Sequence, residues 1–157
     1  MVSKKKSGSK NPDRKPAAPG KAGAPKGAPT LADLRRIARS IVTATSVMDE
    51  KRMAALYAEG VESEEIAAGS KPTHGIEAAR KKGETWSQRI SKAHWHARNL
   101  WCDGQTIVIE WEAQLSLKPK GRKSFHREIA IHEVRNGKIV RERFYYDPAS
   151  LGSATHA

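Results

Sequence analysis

The sequence predicts an α+β domain in which amphipathic helices come first and an antiparallel meander follows. Three observations carry this. Apolar residues recur at three- and four-residue spacing through the first part of the body, up to Ile90. Beyond it the period drops to two. Between the last two alternating runs stands Asn136-Gly137, a strong signal for a tight hairpin turn. Helices on one face of an antiparallel sheet satisfy all three.

Thr30-Leu-Ala-Asp33 has the form of a capping box, with Asp in place of the usual Glu or Gln. The helix it opens places Leu31, Leu34, Ile37, Ala38 and Ile41 on one side and is expected to fade in the β-branched stretch from Ile41 to Val47. Ser46 or Asp49 can cap a short second helix carrying Met53, Leu56 and Tyr57, which Gly60 can end. A short strand is expected over 61–66, a loop over 69–75, and a third helix from about Ile76 to Ile90, with Ala79, Gly83 and Trp86 on its apolar side.

Strand alternation follows. Ala93, Trp95 and Ala97 interleave with His94, His96 and Arg98. Ile107, Ile109, Trp111, Ala113 and Leu115 interleave with Val108, Glu110, Glu112 and Gln114. Phe125, Ile129 and Ile131 stand opposite Glu128, Ala130 and His132, and the last run covers 138–147. A sheet that is apolar on one side and polar on the other is half-solvated.

The charge is uneven. The chain of 157 residues carries a net +12, of which residues 1–30 supply +7 and the remaining 127 residues +5. Pro, Gly, Ala, Lys and Arg fill 22 of those first 30 positions, too few large apolar groups to offset ordering entropy. The expected organisation is therefore a disordered basic arm over 1–30, one domain over 31–150 and a short tail over 151–157. The arm can contact nucleic acid non-specifically through its Lys and Arg, or simply solubilise the chain. It has no aromatic group to stack on bases. Lys4, Lys5 and Lys6 are followed by no apolar h-region, which argues against a signal peptide and for a cytoplasmic location. No apolar run approaches the ~18–20 residues of a membrane span. A single cysteine, Cys102, excludes an internal disulfide and any zinc site built from several cysteines.

The order of elements and several local strings resemble the nuclear transport factor 2 superfamily, the cone-shaped α+β barrels that include ketosteroid isomerases and SnoaL-like polyketide cyclases. The strings are LYAEG (56–60), the strand ending in Glu64-Glu65, GSKPTHGIEAAR (69–80) and NGKIVRERFYYD (136–147). Lys82, Gly83 and Trp86 match the third-helix pattern of small bacterial SnoaL-like proteins. The likeness covers about residues 31–150. It implies a curved sheet wrapped around N-terminal helices, a pocket for a small hydrophobic ligand, a homodimer with Trp95 or Trp101 as its anchor, and no cofactor.

Carried over position by position, the isomerase carboxylate base falls at Glu65, whereas its phenol and its protonated aspartic acid fall at Ile41 and Ala130. An oxyanion hole of that type is thus not expected. The last hairpin decides which side chains enter the pocket. A two-residue type I′ turn places Glu128 and His132 with Arg141, Arg143 and Tyr145, and clusters Ile129, Ile131, Phe144 and Tyr146. A three-residue loop with a glycine bulge places Glu128 and His132 with Glu142, Phe144 and Tyr146. Hydrophobicity favours the first and the resemblance the second, which is adopted here.

The interior then holds Glu65, Trp111, Glu128, His132, Glu142 and Tyr146, closed by Met53 and Trp86. A carboxylate among aromatics suits proton transfer near neutral pH. Glu65 is the expected base, His132 its partner acid or an orienting group, and Tyr146 a hydrogen-bond donor. The competing expectation pairs Glu128 and Glu142 with arginines and makes His132 a satisfied core histidine. His94 and His96 share one strand face, but two histidines do not make a metal site. None is expected there, nor a nucleophilic role for Cys102. An enzyme of the isomerase, cyclase or dehydratase class and a non-catalytic binding module both fit this interior.

Overall fold

The computed structural model describes residues 28–66 and 70–151. The expected arm falls almost wholly on residues 1–27, outside the described residues, as do residues 152–157 of the expected tail. In chain order the elements are α1 (Leu31–Ser46), α2 (Glu50–Ala54), β1 (Tyr57–Glu65), β2 (Thr73–His74), α3 (Ile76–Gln88), β3 (Ile90–Asp103), β4 (Thr106–Leu117), β5 (Arg122–Arg135) and β6 (Lys138–Tyr146), closed by a 3-10 turn, Pro148–Leu151. The strands form one curved, unclosed sheet in the order β2-β1-β6-β5-β4-β3. The α+β class read from the sequence is the observed one.

Helix α1 begins at the capping box: the Thr30 hydroxyl accepts from the Asp33 amide at 3.1 Å, and the Asp33 carboxylate accepts from the Thr30 amide at 3.2 Å. Leu34, Ile37, Ala38, Ile41 and Ala44 are buried. Leu31, expected among them, is 48 % exposed because it precedes the first turn that meets the sheet. The helix ends at Ser46, near the far end of the stretch in which it is expected to fade. Ile41 and Ala44 pack inward, and the Thr43 hydroxyl donates to the Arg39 carbonyl at 2.9 Å. Tertiary packing here outweighs the modest helix propensity of β-branched residues.

Asp49 is the second cap, accepting from the Arg52 amide at 2.9 Å. Helix α2 is shorter than expected. Tyr57 and Gly60 belong to β1, not to a helix and its stop. The reason is pairing: the Ile139 amide donates to the Leu56 carbonyl, and β1 runs parallel to β6 from Tyr57 onward. The sheet is therefore mixed rather than wholly antiparallel. The expected loop contains β2, which pairs with β1 at Glu62 and Ser63. Gly75 (φ 87°) turns the chain into α3, its amide donating to the Val61 carbonyl at 2.8 Å. Helix α3 stops at Gln88, so Ile90 opens β3 instead of closing the helix.

The last hairpin combines features of both expected forms. Asn136 and Gly137 have φ of 49° and 74°, as a two-residue type I′ turn requires. Arg135 faces Lys138 and Val134 faces Ile139. The register then slips, so that Glu133 faces Arg141 and Val140 is left as the extra residue of a bulge within β6. Beyond it Glu128, Ala130 and His132 face Tyr146, Phe144 and Glu142. The bulge sits in the strand, not the loop, yet it delivers the adopted face assignment. Two buried clusters result: one between α1 and the sheet around Trp111, the other around Ile90, Leu115 and Leu117. Leu151 joins the second at 7 % exposure.

Candidate functional site

A cavity of about 130 Å³ opens between the helices and the inner sheet face. Helices α1 and α2 contribute Ile41, Met53, Asp49 and Glu50, α3 contributes Lys82, Gly83 and Trp86, and the strands contribute Tyr57, Glu65, Trp95, Trp111, Glu128, His132, Phe144 and Tyr146. Period-two alternation explains the strand contributions, because every second residue of β4, β5 and β6 faces inward. Of the expected pocket residues, Glu65, His132, Tyr146, Met53, Trp86, Trp111, Glu128 and Phe144 all line it. Glu142 does not: it lies behind the wall at 1 % exposure, because the groups that satisfy it are on the core side.

The wall is aromatic. Trp86 and Trp95 have ring centroids 5.4 Å apart, and Trp95 meets Trp111 edge to face at 5.7 Å and 79°. Trp95 thus forms part of the cavity wall. Trp101 is 52 % exposed, for a bulge between Ala97 and Asn99 turns it to the other side of β3. His126, fully buried, packs against Trp86, Trp95 and Tyr146 and contacts the Ser150 hydroxyl at 2.7 Å.

Two polar constellations are set into this wall. In the first, the Tyr146 hydroxyl donates to Glu65 Oε2 at 2.5 Å, and Lys82 Nζ lies 4.0 Å from Glu65 Oε1. The same ammonium sits 4.4 Å from the Phe144 ring centroid and has no hydrogen-bond partner. Burial, then the hydrogen bond to Glu65, hold the Tyr146 phenol well above its ordinary pKa, so Tyr146 is a donor and not a base.

In the second, Glu142 accepts from Ser63 Oγ at 2.6 Å and from the Tyr57 hydroxyl at 3.0 and 3.1 Å, while His132 Nδ1 stands 3.4 Å from its Oε2. Burial pushes the Glu142 carboxyl up, but the His132 ring, Lys82 and the Ser63 hydroxyl bring it below its usual value. Glu142 therefore stays ionised behind the imidazole. His132 is itself 1 % exposed, and its Nε2 has no protein partner. A third acid, Glu50, accepts from Ser87 Oγ at 2.9 Å. Burial raises its carboxyl above the ordinary value, with Glu84, Glu142 and Asp49 adding to the rise against the Ser87 bond.

Ile41 lines the cavity and Ala130 is fully buried within β5, so no phenol or carboxylic acid stands where the isomerase oxyanion donors fall. Both phenols near the cavity are engaged with carboxylates, Tyr57 with Glu142 and Tyr146 with Glu65. Glu128, 10 % exposed at its side chain, contacts His126 Nε2 at 3.4 Å. Those partners of Glu128 and Glu142 are imidazoles and hydroxyls rather than the arginines of the competing expectation. His94 and His96 are exposed on β3, and among the described residues no group of three or more His, Cys, Asp or Glu is placed to hold a metal ion. Burial, partly offset by the charge of Arg35, raises the Cys102 thiol.

Sequence reasoning missed Tyr57, Ser63, His126 and Glu50, and used Lys82 only as a pattern residue. Ser63 and His126 had a legible signal. Ser63 shares its inward period with Val61 and Glu65, and His126 with Glu128 and His132. A polar residue at an inward position demands a buried partner.

Helices packed over one curved, unclosed six-stranded sheet define an α+β class. Within that class the chain belongs to the SnoaL-like domain family, whose profile matches residues 38–142. Solved structures agree on the fold. A nuclear transport factor 2-like protein of unknown function from Burkholderia pseudomallei superposes with a TM-score of 0.70 at 15 % identity, covering 78 % of this chain and 100 % of that one. A protein from Mesorhizobium loti described as a SnoaL-like polyketide cyclase gives 0.60 at 26 % identity, over 72 % and 98 %. An epoxide hydrolase of Mycobacterium tuberculosis gives 0.62 at 17 % identity, over 76 % and 86 %. No curated protein matches the chain by sequence. Among the described residues no helix is long and apolar enough to cross a membrane.

Proposed function

We propose that the cavity performs cofactor-independent acid–base chemistry on a small carbonyl compound with an apolar body, in the isomerase, cyclase or dehydratase class. The observation that carries this reading is the convergence of Glu65 and of His132, with its unpartnered Nε2, on one aromatic-lined cavity. Glu65 takes the proton next to the carbonyl, and the electron pair moves to the carbonyl oxygen. His132 Nε2 donates a hydrogen bond to that oxygen and keeps its proton, and Glu65 returns the proton it took to carbon to complete an isomerisation. Tyr146 is a positioning residue that holds Glu65. Glu142 lies 3.4 Å behind His132 Nδ1 and orients the ring. The similarity to structures described as a polyketide cyclase and a ketosteroid isomerase supports the reaction class without naming a substrate.

The test is deuterium incorporation next to the carbonyl of small ketones in D2O, followed by NMR. Glu65→Gln is expected to slow exchange by about 10²–10⁴-fold while leaving ligand affinity intact. An unchanged rate removes Glu65 from the mechanism. Ligand affinity with no exchange on any bound ketone would favour the binding-module reading instead.

The exposed Leu100, Trp101, Phe125 and Tyr145 support a homodimer, which a mass corresponding to one chain in light scattering would refute. For the basic arm the corresponding proposal is salt-sensitive DNA binding, lost on deleting residues 1–30. Equal binding by the truncated chain would dispose of it.

A further inference from the structure

The charge inside the cavity is opposite to that of the chain. Among the described residues, this protein of net +12 lines its cavity with Asp49, Glu50, Glu65 and Glu128 against one lysine, Lys82. Glu142 stands directly behind. Even with both His126 and His132 cationic, these five acids outnumber the positive groups. Arg89 and Lys81 line an adjoining groove with Tyr146, outside the cavity lining.

Glu128 is the acid that most needs a ligand. Lys82 partly neutralises Glu65, and Glu50 holds its proton more readily because it is buried. Glu128 is nine-tenths buried, with His126 at 3.4 Å. On the sheet it lies between Trp111 of β4 and Tyr146 of β5's other neighbour, β6, and Trp95 lines the same cavity. A carboxylate between aromatic rings attracts a cation in two ways, by its charge and by the ring quadrupoles. An anionic ligand would be repelled there, and a neutral one would leave a desolvated carboxylate with only the 3.4 Å His126 contact to compensate it. The buried Nε2 of His132 supplies a second polar contact within the same cavity, suited to a hydroxyl or carbonyl.

We infer that the ligand is a small organic ammonium ion that also carries a hydroxyl or carbonyl group, its cationic end held by Glu128 and the tryptophans. This rests on reading the cavity as a ligand site and narrows the substrate class given above.

Choline and its neutral carbon isostere, 3,3-dimethylbutan-1-ol, separate the charge from the shape. Titrated against the full chain with tryptophan fluorescence as readout, choline is expected to bind about tenfold or more tightly than the alcohol, since a desolvated cation–π contact with a tryptophan, beside a carboxylate, exceeds ~1.4 kcal/mol. The basic surface repels cations, so such a preference reports the cavity. Glu128→Gln is expected to remove most of the preference and leave alcohol affinity unchanged. Trp95→Phe should weaken choline binding less, and circular dichroism checks that both variants fold. Equal affinities, a preference for the alcohol, or no binding of either compound overturns the inference. So does a folded Glu128→Gln variant that keeps the full preference. Choline preference without ketone exchange would leave this inference standing and sink the acid–base reading. Exchange without choline preference would do the reverse.

Discussion

The two faces of one sheet treat their acids differently. On the outer face Glu112 lies 3.0 Å from both Arg98 and Arg127, Glu133 lies 3.2 Å from Arg143, and Arg141 reaches Glu62 at 2.9 Å and Glu64 at 3.4 Å. On the inner face Glu142 is held by Ser63, Tyr57 and His132, Glu65 by Tyr146 and Lys82, and Glu128 by His126. Outside, charge is matched by charge in contact with water, where pairs contribute little. Inside, carboxylates are held mainly by neutral donors and are short of positive charge. That is an expensive arrangement for stability alone, and it leaves acid–base groups and a net field where a ligand can use them.

The largest difference should appear when an acid is deleted from each face. Glu142→Ala leaves the Tyr57 and Ser63 hydroxyls without their acceptor in the core and removes the carboxylate that stands 3.4 Å from His132. A loss of about 3–5 kcal/mol in denaturant unfolding is expected, the scale seen when one partner of a buried charged network is removed. A loss under ~1 kcal/mol would mean that the inner network is relaxed, and would remove the contrast between the faces.

Acid sharpens the same contrast. The Glu142 carboxyl titrates below its ordinary value of 4.5 in the folded protein. The stability linked to it is therefore fully present above that value and is lost as pH falls through the folded pKa. Glu50 has the opposite sign: its pKa is raised, so it is more favourable protonated and loses stability as pH climbs above 4.5. Melting curves below pH 4.5 should then be less steeply pH-dependent in Glu142→Gln than in the wild type. Parallel curves would show that Glu142 is not the group titrating there.

On the outer face, Glu133→Ala should cost at most about 1 kcal/mol, because Glu133 and Arg143 are each roughly a third exposed and water competes for both. A double-mutant cycle with Arg143→Ala isolates the pair. A coupling of 2 kcal/mol or more would show that the outer charges are as consequential as the inner ones.

These contrasts were only partly legible in the chain. Period-two spacing put Glu128 and His132 on one face, whereas Tyr146 joined them only through the resemblance, since hydrophobicity favoured the other register; the capping box at Thr30 marked the start of α1 correctly. Local pattern failed where a distant strand decided the outcome. Tyr57 reads as helical, yet parallel pairing with Ile139 draws it into β1, and only there does its hydroxyl reach Glu142. The bulge at Val140 leaves no mark in composition, because it arises from fitting β6 between β5 and β1. Glu50 was invisible for the same reason. Its neighbours in the cavity, Gly83 and Ser87, lie more than thirty positions away.

Gly83 offers the subtlest test. A Cβ built on it would overlap the Glu50 carboxylate, the mobile end of a side chain that can swing aside. Gly83→Ala gains roughly 1 kcal/mol of helix propensity in α3 and loses about as much from the Ser87–Glu50 hydrogen bond. Overall stability should hardly move. What should change is Glu50 itself: pushed toward water, its carboxyl returns toward the ordinary value, because burial is the main cause of its rise. Carboxyl NMR titration of the two proteins reads this directly. An unchanged Glu50 midpoint in a folded Gly83→Ala protein would mean that the inner face, like the outer, can shift its acids without consequence.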